Sequence, residues 1–165
     1  MTQQATLSEP TLENPLAGKY LLFRLGAEEY GLEILKVREI IPMQALTTVP
    51  RTPPHVRGVL NLRGRVIPAI DLHLRFALEQ PETTQPPVIV IVRVNDVEVG
   101  LIVDSVSEVL DVPGGDIEDT PSLGRQVDTS LILGLAKTSG RVTILLNVEK
   151  VLTAADVATA ETIND

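Results

Sequence analysis

The sequence predicts an all-β fold built from small barrels, and three observations carry that reading. Short Val- and Ile-rich segments recur, with turn signals roughly every eight to twelve residues. Aromatic residues make up 2% of the chain and Trp is absent, so any core must be aliphatic. A module of roughly 60 residues, a size at which a lone barrel is marginal, occurs twice. With 165 residues, 44% hydrophobic and 22% charged, the chain can bury a core as one domain or two small ones.

Taken in order, residues 1–18 are polar, hold Pro10 and Pro15 and lack periodicity, and read as a flexible tail. The first barrel is expected over 19–80. KYLLFRL (19–25) is a strand that turns at Gly26-Ala27-Glu28 into a second strand from Tyr30 to Leu32, and Ile34 to Ile40 leaves room for one helical turn. Thr47 to Pro54 cannot be a central strand, because proline has no N–H for the ladder. GVLNL (58–62) and RVIPAI (65–70) are strands joined across Arg63-Gly64, where glycine takes positive φ in a two-residue turn. LHLRFA (72–77) is a short helical candidate and EQPETTQPP (79–87) a linker. The second barrel is expected over 81–147. It holds VIVIVRV (88–94), an Asn95-Asp96 turn, VEVGLIV (97–103), and a hairpin of Leu131 to Lys137 with Arg141 to Leu146 around Ser139-Gly140. Residues 148–165 read as a C-terminal helical segment and tail.

The repeat becomes visible when the chain is shifted against itself. At one offset Arg24, Glu29, Gly31, Leu32, Val37 and Glu39 fall on Arg93, Glu98, Gly100, Leu101, Val106 and Glu108. At a slightly larger one, Gly64-Arg65-Val66 falls on Gly140-Arg141-Val142, the later module having the longer loop DVPGGDIEDTPSLGR. Shared glycines and charges in the same order point to duplication, and a groove between quasi-equivalent barrels is a natural place for a partner. The repeat also exposes differences. Arg63 maps to Ser139, so the hairpin-tip guanidinium belongs to the first module alone; it suits a carboxylate or the carbonyls of a helix end, the alternative being an ordinary exposed turn arginine. Asp71 maps to Asn147, and both are expected to cap a helical turn. Gly31 and Gly100 mark a bulge or a close backbone approach.

Composition excludes much chemistry. Without cysteine there is no disulfide, thiolate metal site or thiol nucleophile. A net charge of -8 and the scarcity of aromatic platforms argue against nucleic acid. The charge is uneven: Lys19 to Ala77 carries nine bases against five acids, Leu78 to Lys150 five against twelve, and the tails add only acids. No apolar run is long enough to span a bilayer and MTQQATLSEP lacks a signal peptide's pattern, so the expected compartment is the cytoplasm, with no direct membrane insertion. The two histidines, His55 and His73, have no metal-ligand spacing around them. Asp71 and His73 could orient a base for Ser105 or Ser107, but no nucleophile elbow accompanies them. GDIEDT (115–120) lacks the register of a calcium loop, and Gly114-Gly115 lacks the residues of a phosphate loop. No cofactor is expected, and function is expected to lie in surfaces.

The run GVLNLRGRVIPAIDL (58–72), with FRLGAEEYGLEILKVREI upstream and VEVGLIVDSVSEVL and ILLNVEKVL downstream, resembles the CheW family of bacterial chemotaxis coupling proteins. Such domains also occur in the histidine kinase CheA and the adaptor CheV; a chain this short fits the stand-alone adaptor. The resemblance implies two five-stranded SH3-like barrels related by a pseudo-twofold repeat, and a non-enzymatic adaptor, monomeric when free. It would couple the cytoplasmic tip of chemoreceptors to CheA's regulatory domain, recruited from the cytoplasm to membrane receptor clusters. By motif, the receptor contacts fall on Val37, Glu39, Gly58 and Arg63, making 19–80 the receptor side. Val88, Gly100 and Val109, with Leu110 and Val112, match groove or second-barrel positions, making 81–147 the kinase side. His73 departs from the family, where arginine commonly follows Asp-Leu. An adaptor of another chemosensory pathway, serving surface motility or development, is the alternative within the class; a small β-barrel enzyme is the alternative outside it.

Overall fold

The computed structural model describes residues 15–78, 85–118 and 129–152. The tail at 1–14, most of the 79–87 linker, the loop from Asp119 to Asp128 and the C-terminal tail from Thr153 lie outside the described residues. The strands are β1 (Gly18–Leu25), β2 (Glu28–Glu33), β3 (Val37–Pro42), β4 (Val56–Leu62), β5 (Arg65–Asp71), β6 (Val88–Val94), β7 (Val97–Val103), β8 (Ser105–Val112), β9 (Ile117–Glu118), β10 (Ile132–Thr138) and β11 (Arg141–Leu146). Two one-turn helices, α1 (Leu72–Arg75) and α2 (Val148–Val151), follow β5 and β11. The result is the expected all-β, two-barrel fold.

Three of the expected hairpins form as read. Arg63-Gly64, Asn95-Asp96 and Ser139-Gly140 all have positive φ at both residues, the primed turn whose twist matches that of the flanking strands. Besides the two-residue β9, which falls in a segment read as a loop, two strands escape the sequence reading. The segment Ile34 to Ile40 holds a 3-10 turn only over Ile34–Lys36 and then becomes β3, while β8 follows β7 after a one-residue corner at Asp104. Both strands carry a bulge: Val37 pairs with Val92 and Glu39 with Ile91, leaving Arg38 extra, and Ser107 is left over in the same way between Val106 and Glu108.

The strand order runs β8-β1-β2-β11-β10-β9 in one sheet and β3-β6-β7-β5-β4 in the other. Replacing each strand by its repeat equivalent converts the first five positions of one order into the other, so the duplication is also structural. The sheets nevertheless cut across the contiguous division at 19–80 and 81–147. β1 and β2 join the six-stranded sheet, while β6 and β7 join the five-stranded one. The joints are two short parallel ladders, β2 with β11 and β7 with β5. A parallel neighbour cannot come from an adjacent hairpin arm, so each sheet must borrow from the other half of the chain.

Burial follows from this topology. Leu21, Phe23, Leu25, Val90, Val92 and Leu101 meet in a core shared by both sheets. Tyr20 and Leu22 face a private core with Val112 and Leu145, and Ile89 and Ile91 face the other private core with Leu60 and Ile67. β1 and β6 are therefore covered on both faces, which is why they read as unbroken apolar runs. Gly31 and Gly100 sit at the parallel joints, paired with Leu145 and Ala69. These glycines serve close approach, the bulges lying elsewhere: a Cβ on Gly100 would stand 2.8 Å from Ile89 Cγ2.

Gly100→Ala is expected to destabilise the fold by about 1–3 kcal/mol through overpacking, whereas Gly115→Ala, with nothing within 4 Å of its added carbon, should fall within about 0.5 kcal/mol of the parent. Urea unfolding midpoints compare the two. Tyr20 provides a second check. Its hydroxyl donates to Leu16 O at 2.6 Å, and burial, with a smaller contribution from Glu33, pushes its pKa from 10.0 up to about 12. The neutral form is the native one, so the stabilisation is fully present below pH 10 and is lost as pH rises through about 12. A Tyr20→Phe variant should lack that component in an alkaline unfolding series.

Candidate functional site

Of the first-module residues singled out by sequence, Glu39 and Arg63 meet at one corner of the five-stranded sheet. β3 is an edge strand of that sheet, and the β4–β5 hairpin forms the opposite edge. At the hairpin tip Asn61 Oδ1 accepts from the Gly64 N–H at 2.9 Å, locking the turn that projects Arg63. The guanidinium then reaches across to β3, donating to both carboxylate oxygens of Glu39, from Nη1 at 3.1 Å and also from Nη2. Arg63 is thus neither unattached nor at a helix end. These hydrogen bonds hold the Glu39 carboxyl below its ordinary value of 4.5, so the pair keeps both charges into mild acid. Arg65 on the same hairpin binds Glu98 of β7, and its repeat equivalent Arg141 lies 3.5 Å from Glu29 of β2. Where the second hairpin carries Ser139, Arg141 reaches Glu108 as well, at 3.4 Å.

Val37 begins β3, is half-buried and packs on the shared core, as does Val88 at the start of β6. Gly58 has φ of 150° and lies against the chain at Leu46 and Thr47; a Cβ there would stand 2.6 Å from Thr47 O. It offers no side chain and little surface, so its part is to let the 43–47 segment lie close to β4. Gly100 and Val112 are likewise buried and shape the barrels from within. On β8, the edge strand of the six-stranded sheet, Val109 is 49% exposed and Leu110 packs partly on that sheet's private core. Ile40 of β3, 44% exposed, is the repeat equivalent of Val109. It was invisible in the sequence because the segment read as a helical turn. The Glu39–Arg63 pairing was equally hidden, since no spacing rule joins residues on separate strands.

The Asp71–His73 pair does structural work. Asp71 Oδ1 accepts from the His73 backbone N–H at 2.9 Å, the expected cap, and Asp71 Oδ2 accepts from Arg57 Nη1 at 2.8 Å. His73 is buried with Nε2 3.3 Å from Asp104 Oδ1, so it faces a second carboxylate where a general base would face a hydroxyl. Asp104 Oδ2 in turn accepts from the Gly26 N–H at 2.7 Å, carrying the chain of contacts from one barrel to the other. Asn147 caps α2 in the equivalent way, accepting from Glu149 and Lys150 N–H. Among the described residues no cluster of His, Cys, Asp and Glu is arranged to hold a metal ion, and no helix is long and apolar enough to cross a membrane.

Comparison with known proteins agrees with this picture of surfaces. The profile of the CheW-like domain family matches residues 19–156. The chemotaxis protein CheW of Klebsiella aerogenes is 34% identical over 163 residues, covering 99% of this chain and 98% of its own. Protein FrzA of Myxococcus xanthus is 33% identical over 140 residues, covering 83% and 86%. The crystal structure of the scaffolding protein TtCheW from Thermoanaerobacter tengcongensis superposes with a TM-score of 0.77 at 33% identity, covering 86% of this chain and 96% of that one. With a duplicated two-barrel fold, charged edges and agreement along nearly its whole length, the chain belongs to the CheW-like domain family of non-enzymatic scaffold and adaptor proteins.

Proposed function

We propose that this adaptor couples chemoreceptors to the histidine kinase CheA, working in the cytoplasm and recruited to receptor clusters at the membrane. The observation that carries the reading is the Glu39–Arg63 pair, which ties edge strand β3 to the tip of the β4–β5 hairpin. A bidentate ion pair on exposed ground contributes little to stability. Its worth lies in fixing the relative position of two edges that a partner would meet together. The receptor face then consists of Val37, Glu39 and Arg63, with Gly58 letting the 43–47 segment lie against β4 and Val88 next to β3 at the shared core. The kinase's regulatory domain docks on the other barrel along β8, at Val109 and Leu110, while Gly100 and Val112 keep the strands beneath those faces in register.

Each contact need bury only about 1,000–1,600 Å² to be specific and reversible. Many such contacts in an array give avidity through effective concentration. Receptor state is transmitted when it changes the strength of one contact, because linked equilibria are reciprocal. The relationship to FrzA keeps another chemosensory pathway as a second reading; the two differ in partner, while the docking faces stay the same.

Arg63→Glu sets two carboxylates against each other at this corner. It should leave the far-ultraviolet circular dichroism and melting temperature close to the parent's while weakening pull-down of a purified receptor cytoplasmic fragment. The exchanged double variant, Glu39→Arg with Arg63→Glu, restores the pair and should recover part of the binding. Retained receptor capture by Arg63→Glu would remove the corner from the receptor face. A globally unfolded variant would show that the pair serves stability instead.

A further inference from the structure

Among the described residues, every arginine carried on a strand has a partner within the chain except one. Arg57, Arg65, Arg93 and Arg141 each hold a carboxylate, and Arg24 holds the Ala27 carbonyl. Arg38 of β3 is exposed and has no ion pair or side-chain hydrogen bond. It is also the extra residue of the β3 bulge, without a cross-strand neighbour to lean on. Bulges re-aim side chains at sheet edges, so the guanidinium is presented where the sheet ends.

A charged residue on an edge strand often serves only to discourage pairing with another sheet. The repeat argues against that reading here. β8 is the equivalent edge of the other sheet, bears the same bulge and has the same need for protection, yet the residue there is Ser107. The bulge answers the shared need; the cation belongs to one edge alone. Glu39, next to Arg38 in the chain, takes both arms of the Arg63 fork. An arriving carboxylate therefore meets one available guanidinium at this corner, flanked by half-buried Val37 and by Ile40, 44% exposed.

We propose that Arg38 is the residue through which the β3 edge recognises an acidic segment of the receptor, donating to a carboxylate beside an apolar side chain that rests on Ile40. Arg63 then acts as a positioning residue, holding Glu39 and the hairpin tip so that Arg38 is presented. The inference rests on the reading of β3 as the receptor-docking strand. It adds to that reading the charge of the segment that docks.

The test measures binding of the full chain to a purified receptor cytoplasmic fragment across a series of salt concentrations. Arg38→Gln should weaken binding by about tenfold and flatten its salt dependence, and Arg38→Glu should weaken it further, since a charge-assisted contact is lost and then reversed. Val37→Asp, with its far-ultraviolet circular dichroism and melting temperature checked against the parent's because Val37 packs on the shared core, is the control for docking at this edge. If Val37→Asp abolishes binding while both Arg38 variants stay within about twofold of the parent with an unchanged salt slope, the role of Arg38 is overturned and the docking strand stands. If the parent itself fails to bind the fragment, or Val37→Asp binds as the parent does, the docking strand is overturned and the inference with it. If the Arg38 variants lose only the kinase regulatory domain, or only a concentration-dependent self-association, the assignment to the receptor is overturned.

Discussion

Everything in this molecule depends on two strands being covered on both faces. β1 and β6 each lie between a private core and the core that the two sheets share. With no Trp and little Phe or Tyr, a single barrel of this size could bury only a modest amount of apolar surface. The shared layer is what makes two marginal barrels into one stable body, and it leaves the edges β3 and β8 as places where the sheets stop. The proposed docking residues gather at those edges, which nothing in the fold needs to cover. These open edges are the ground on which docking is proposed, with bulges keeping them from pairing indiscriminately.

Duplication supplies the architecture, and departures from it supply the roles. In the framework the repeat holds: Arg65–Glu98 answers Arg141–Glu29, the cap Asp71 answers Asn147, and the bulge positions in β3 and β8 correspond. Outside, Arg63 becomes Ser139 and Arg38 becomes Ser107, so the cationic corner exists once. An adaptor with two identical faces would join like to like. One whose interior is symmetric and whose edges are not can hold two different proteins in a fixed relation, which is the property a signalling scaffold needs.

How much of this was legible in the sequence depended on whether the controlling interaction was local. The hairpins at Arg63-Gly64, Asn95-Asp96 and Ser139-Gly140 were readable because the turn residues and the strands they join are neighbours. The caps at Asp71 and Asn147 were readable for the same reason. β3 and β8 were not: a bulge interrupts their alternation, and one open side lets charged and polar residues stand among the apolar ones. The crossing of the two halves was not legible either, because the parallel joints at Gly31–Leu145 and Gly100–Ala69 connect distant parts of the chain. At the proposed site, Val37, Glu39 and Arg63 were named by motif. That Glu39 and Arg63 bind each other, and that Gly58 works from beneath the surface, became visible only once the sheets were assembled.

The exchange of strands between halves also orders events on the ribosome. Every strand of the five-stranded sheet has been made once synthesis reaches Val103, so that barrel can close on a chain still being elongated. β1 and β2 emerge first of all, yet β2 receives its outer neighbour only when β11 is completed at Leu146. The N-terminal hairpin therefore spends most of translation with an apolar flank waiting for the last strand, and a nascent chain truncated before Arg141 leaves that flank bare for chaperones to hold.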